Sequence, residues 1–275
     1  MLTLLISILA IQTPTAEEIW RSGNTERPEA VHVSADGQWV YYGHQGPEGE
    51  GLNGYVSRQS LASGNWDQRW SVPLASPLGM ISDDRILYVV EEAERVTALD
   101  RQSGERLQSW SAPEGSRVIN DLALDPTGRL WATDTGVGRI LTLENGQWTV
   151  VLEDAVVSNA NGIEYVDGAI YVVCSGGVGN LVRIDPDSLE FELLLSGEGS
   201  LDGVVTDGRG GLLLSDLRGR LLHWSEAHGI TVLDAFEDEE IMLNSIGGTP
   251  DGRYVFSPHW RQSQISAHRI DYPTP

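Results

Sequence analysis

The sequence predicts an all-β fold, a six-bladed β-propeller with four-stranded blades closed by an N-terminal strand, and three observations carry that prediction. Turn signals rich in Asp, Pro and Gly recur at a steady pitch. Aligned on the turn, the chain gives six segments: EAVHVSADGQWVYYG, PLGMISDDRILYVVE, NDLALDPTGRLWATD, NGIEYVDGAIYVVCS, DGVVTDGRGGLLLSD and NSIGGTPDGRYVFSP. Their anchors, Gly37, Asp84, Gly128, Gly168, Gly210 and Gly252, lie 47, 44, 40, 42 and 42 residues apart. A period of about forty residues is that of a propeller blade. Each segment is a short apolar strand, a tight turn and a second apolar strand, followed by weaker, more polar strands such as RVTALD with ERLQSW. Helical periodicity is absent almost everywhere, and a β-sandwich would not repeat this internal order.

In chain order, the first sixteen residues, MLTLLISILAIQTPTA, hold an apolar run from Leu2 to Ile11 and then small and polar residues to Ala16. The run is too short to span a bilayer and resembles a signal peptide, although a positive n-region is missing. The expectation is therefore a leader over residues 1–16 and export to the periplasm or the medium, or, if the leader is not one, a cytoplasmic protein. The propeller should occupy residues 17–275 as one domain. The sixth repeat ends with ISAHRIDY, Ile265 to Tyr272, one strand short of a blade. EEIWRS, Glu17 to Ser22, is the natural missing outer strand, because a ring closed by its own N-terminus removes an exposed sheet edge.

Composition excludes several functions. The 275 residues carry 40 acidic and 18 basic side chains, a formal net charge of −22. That balance repels nucleic acid and anionic membrane, and it either attracts cations or simply keeps the surface solvated. Cys174 is the only cysteine, so neither an intrachain disulfide nor a cysteine-rich zinc site can form. No Ser-His-Asp elbow, Walker loop or dinucleotide fingerprint is present.

Propeller geometry then directs attention to one face. The first strand of each blade lines the central channel and the turn returns the second strand toward the starting face, so the start of strand one and the end of strand two meet there. Counting seven or eight positions back from each anchor gives Glu29, Ser76-Pro77, Asn120, Asn161, Asp202 and Asn244. Asp134, Asp216 and His259 end second strands on the same face, with the Gly-rich loop Gly43 to Gly54 above it. Two carboxylates among amide carbonyls form a hard-oxygen set suited to Ca²⁺, with Mg²⁺ or Mn²⁺ as alternatives. Asn161-Gly162 and Asp202-Gly203 are also ordinary turn dipeptides. A full strand and a second turn follow each of them, and that shared phase favours the ring of ligands. Asp121 reads either as an outer partner of the ligands or as a carboxylate binding a backbone amide. His259, beside Trp260, is either a packed residue or a proton shuttle.

The ordered set Glu29 (in RPEAV), Asn120 (in INDLALDPTGRLWATD), Asn161 (in NANGI) and Asp202 (in LDGVVTDGRGGLLLSD) resembles the six-bladed propellers of the senescence-marker-protein/gluconolactonase (regucalcin-like) family. It is similar also to the wider calcium-dependent group of paraoxonase and diisopropyl-fluorophosphatase. The resemblance implies a channel-bound divalent cation, usually calcium, held by Glu29, Asn120, Asn161 and Asp202, and hydrolysis of a lactone or related ester as small-molecule substrate. In such an enzyme Asp202 serves as base or nucleophile, Glu29 is the fixed ligand, and Asn244 or Ser245 contributes through water. The chain departs from the gluconolactonase pattern in its Glu29-Ala30-Val31 opening and in the placement of Arg117 three residues before Asn120. The sugar-lactone preference therefore does not carry over. Two other readings stand beside the hydrolase. One is a non-catalytic, metal-stabilised propeller that binds a small ligand or a protein. The other is a metal-free lyase similar to strictosidine synthase, which the several Asn anchors disfavour.

Overall fold

The computed structural model describes residues 13–23, 25–47, 51–236 and 241–273. Six four-stranded antiparallel sheets form a six-bladed β-propeller. The inner strands of the blades are Pro28–Val33, Pro77–Ser82, Ile119–Leu124, Ala160–Val166, Leu201–Thr206 and the short Gly247–Gly248. The last sheet has its outer strand from the N-terminus: Thr15–Arg21 pairs with Gln264–Asp271, Ala16 opposite Ile270 and Trp20 opposite Ala267. The closing strand thus begins two residues before the expected Glu17. Met1 to Gln12, most of the presumed leader, lie outside the described residues. A single 3-10 turn, Ala155–Val157, is the only helical element among the described residues, and no helix there is long and apolar enough to cross a membrane.

Tight turns follow from local chemistry. In blade 4 Asp167 and Gly168 take φ of 47° and 89°, the left-handed pair that a two-residue hairpin turn requires. In blade 3 the Asp125 carboxylate accepts the Thr127 and Arg129 amides and also the Trp131 indole N–H, at 3.0 Å, so one side chain fixes both the turn and a core ring.

Six apolar clusters form the core, each a seam between adjacent blades rather than one central mass. Between blades 3 and 4, Ala123, Trp131 and Ile140 meet Ile163, Ile170 and Val172. Between blades 6 and 1, Phe256, Ile265 and Ala267 meet Val31, Val40 and Tyr42, with Trp20 of the closing strand packed against them. Each fully buried Leu, Ile or Val contributes about 1.5–3 kcal/mol, so the ring is held by the sum of its seams. The axis, left open between them, is the channel.

Candidate functional site

The inner strands are not regular where the candidate ligands lie. Each of the five complete inner strands carries a one-residue register shift against its neighbour: between Pro28 and Ala30, Pro77 and Met80, Ile119 and Leu122, Ala160 and Ile163, and Leu201 and Val204. These β-bulges contain Glu29, Leu78, Asn120, Asn161 and Asp202. A bulge re-aims a side chain and leaves a backbone group without its ladder partner. In blade 3 the Thr133 hydroxyl accepts the Asp121 amide at 3.0 Å and donates to the Asn161 carbonyl of blade 4 at 2.6 Å. Ser215 repeats the device, accepting the Gly203 amide at 2.8 Å and donating to the Asn244 carbonyl at 2.7 Å. Thr133 therefore ties the bulge of blade 3 to that of blade 4, and Ser215 ties the bulge of blade 5 to Asn244 of blade 6. Sequence reasoning missed both, although the hydroxyl before Asp134 and before Asp216 was a readable signal.

At this end of the channel the structure brings Glu29, Asn161, Asp202 and Asn244 into contact in two pairs. Asn161 Nδ2 donates to Asp202 Oδ2 at 2.9 Å, and Asn244 Nδ2 reaches Glu29 Oε1 at 3.4 Å. Glu29 Oε2 and Asn244 Oδ1 are buried with no hydrogen-bond partner. Burial first, and then the Asp121 charge, push Glu29 up to about 7. Burial and the Glu29 and Asp121 charges hold Asp202 well above the carboxylate range. Asn120 is half-buried at the equivalent bulge of blade 3. Ser245 lines the channel below Asn244.

Other candidates are placed differently. Asp121 binds backbone amides, accepting Leu122 N at 2.9 Å and, across the seam, Ile163 N at 3.3 Å. Burial pushes it up to about 7, and both of its oxygens are taken by these backbone amides rather than offered to a ligand. His259 stands apart from the ring. Its Nε2 is bonded to Ser266 Oγ at 2.7 Å and its ring packs edge-on against Phe236, while burial pushes it down to about 4. Asp134 and Asp216 are consumed by ion pairs, Asp134 with Arg139 at 3.1 Å and Asp216 with Arg218 at 2.8 Å and with Arg220. Blade 2 presents Leu78 at its bulge, one residue beyond the expected Ser76-Pro77. Of the Gly-rich loop, residues 48–50 lie outside the described residues; Gln45 holds the rest, accepting from the Trp260 indole at 2.8 Å.

The donor set fits a divalent cation. It is made of oxygens only, it gathers unneutralised carboxylates in a narrow channel, and Glu29 Oε2, like Oδ1 of the adjoining Asn244, is buried without a partner. Among the described residues no three His, Cys, Asp or Glu side chains are grouped to hold a metal by themselves. A cation here must therefore also draw on the amide oxygens.

Comparisons with known proteins bear on the fold. A sequence family described as outer membrane protein assembly factor BamB matches residues 50–112. No curated protein matches the chain. Among solved structures, a gluconolactonase candidate superposes with a TM-score of 0.70 at 14% identity, covering 94% of this chain and 92% of that one. A catalytically inactive virginiamycin B lyase from Staphylococcus aureus, solved with quinupristin, gives 0.67 at 13% identity over 94% and 99%. A luciferin-regenerating enzyme gives 0.66 at 16% identity over 94% and 96%. At these identities the likeness is one of fold.

Proposed function

We propose that the chain is a divalent-cation-dependent hydrolase, acting on a lactone or related ester at the channel mouth, with calcium as the cation. The observation that carries this reading is that Glu29 and Asp202, carboxylates from blades 1 and 5, are buried close enough to feel each other's charge, have no basic partner among the described residues, and leave Glu29 Oε2 unbonded. Buried carboxylates without a counter-charge are costly, and a hard cation is the partner their chemistry selects. Solved propellers of this fold include a gluconolactonase candidate and a lyase, which supports an enzyme that works on a small molecule.

Glu29, Asn120, Asn161 and Asp202 would hold the cation. When bound, it supplies Lewis acidity to a carbonyl oxygen and positive charge to keep both carboxylates ionised. Asn161 Nδ2 fixes Asp202 Oδ2, so the other oxygen, Oδ1, takes the proton from an attacking water or itself attacks the carbonyl. Asn244 steadies Glu29 Oε1 from the sixth blade. Leu78 gives blade 2 an apolar wall against which a substrate body can rest.

Chelator-stripped protein titrated with calcium should melt at a higher temperature, by about 2.7 kcal/mol of added stability at a hundredfold excess over the dissociation constant. Calcium-loaded protein should then hydrolyse at least one member of a panel of lactones, aryl esters and phosphotriesters. An unmoved melting curve contradicts the cation. A calcium shift without hydrolysis across the panel leaves the non-catalytic, metal-stabilised propeller in its place.

A further inference from the structure

The channel has a second end. On the face of the hairpin turns it opens into a funnel of 530 Å³ to which all six blades contribute, through His32, Ser82, Leu124, Glu164, Thr206 and Gly248. Toward the mouth it narrows to a neck of 50 Å³ walled by valines, Met80 and Leu122. The neck has about a tenth of the funnel's room and lies between polar groups, among them Asp121 and Ser245. A ligand in the funnel is thus separated from Glu29 and Asp202, and its site is independent of the proposed hydrolase.

The walls of the funnel are mainly apolar, with Ile81, Leu124, Tyr88, Tyr165 and Pro250, and its size is that of ordinary small-molecule sites. At its floor stands Glu164, sunk in the channel and lining both funnel and neck. Its carboxyl has no hydrogen-bond or ion-pair partner among the described residues. The nearby His32 offers no positive charge: its Nε2 is bonded to Ser82 Oγ at 2.9 Å and burial pushes it down to about 3. Asp84 adds an exposed carboxylate at the rim, while Asp125 is already paired with Arg129 at 2.9 Å. Among the described residues no Arg lines the cavity.

An apolar, tyrosine-bearing cavity with one unpartnered carboxylate at its floor selects a particular chemistry. We propose that the funnel is a second ligand site for a small organic ammonium, a primary amine with an apolar or aromatic body, its nitrogen received by Glu164 and its body lying against Tyr88, Leu124 and Tyr165. Ammonium and carboxylate neutralise one another away from bulk water, and the phenol faces add attraction for a cation.

The test is calorimetric titration of the calcium-loaded protein with 2-phenylethylamine, with neutral 2-phenylethanol as control. The amine should bind saturably at one site, and the alcohol at least tenfold more weakly. Glu164→Gln, nearly isosteric, should lose tenfold or more in amine affinity with an unchanged unfolding curve. Tyr88→Ala, at the rim, should lose threefold to tenfold, and Asp202→Asn should bind the amine as the wild type does. No saturable binding at millimolar amine, equal affinity in Glu164→Gln, or loss of binding in Asp202→Asn would each overturn the proposal.

Discussion

Asn161 and Asp202 are each followed by a glycine, and neither glycine has the left-handed backbone of a turn. Their role is close approach. A Cβ on Gly162 would lie 2.3 Å from the Asp202 carbonyl oxygen, and one on Gly203 would lie 2.6 Å from the Ile246 amide. Inner strands of adjacent blades therefore touch at the bulges, and backbone cannot yield as a side chain can. Gly162→Ala should cost about 1–3 kcal/mol in denaturant unfolding and should also lower activity by displacing Asp202; an unchanged midpoint would contradict the packing. Glu29→Gln and Asp202→Asn both remove a charge from the ring and should weaken calcium binding. Only Asp202→Asn should stay inactive once calcium saturates the site, as measured by single-substrate kinetics, and restored hydrolysis would make Asp202 a ligand alone. The phase of the Asn and Asp residues was legible because each precedes its hairpin turn by seven or eight residues. Leu78 was not, because the blade 2 hairpin joins Ser82 to Ile86 through three residues where blades 1 and 3 use five, so seven or eight steps back from Asp84 overshoot the bulge. For His259 the packed residue was one of two readings, and its partners, Phe236 and Ser266, come from other elements that the local sequence does not name.

At the level of elements, the hairpins were the readable part of the fold, because strand, turn and strand lie within about fifteen residues and carry their own turn chemistry. The outer strands were harder, since one of their faces meets water and their apolar pattern thins: Arg106–Ser111 is exposed along most of its length. Two strands are shorter than the repeat suggests, Trp66–Asp67 and Gly247–Gly248. In the latter, two glycines followed by Thr249-Pro250 bring no apolar side chain to the strand and a proline that cannot donate to the ladder. The closing strand was legible by elimination, as the piece the sixth blade lacked. It is also the element whose loss is easiest to measure. Deleting Thr15–Arg21 unpairs Gln264–Asp271 and removes Trp20 from its place 5.8 Å from the Trp66 ring. The loss of that burial alone should lower the melting temperature by roughly 5 °C or promote aggregation through the opened edge. A deletion variant that melts like the full chain would contradict the closure.

For the molecule as a whole, the net charge of −22 is unevenly consequential. Many carboxylates cap turns or pair with Arg and several are held low, Asp36, Asp100 and Asp185 among them; Asp125 is held at about 2. The channel carboxylates are held high: Glu29 and Asp121 up to about 7, Glu164 up to about 8, and Asp202 raised as well. A carboxyl whose folded value is raised above its unfolded one binds more protons in the folded state between the two values, so stability falls as pH rises through that window. Cation-free protein should therefore melt lower at pH 8 than at pH 5, and saturating calcium should reduce or reverse that slope by replacing protons at Glu29 and Asp202. A slope unaffected by calcium would separate the titrating groups from the cation site. The charge total was evident in the sequence; its concentration on the axis was not, because Glu164 sits in a strand that reads as apolar core and only ring closure turns it inward. The most direct test of the central claim, that the oxygens of blades 1, 3, 4 and 5 form a cation site at the channel mouth, is calorimetric titration of chelator-stripped protein with calcium. One saturable site per chain is expected, weakened at least tenfold in Glu29→Gln, whereas an absence of binding, or equal affinity in the two proteins, would rule that site out.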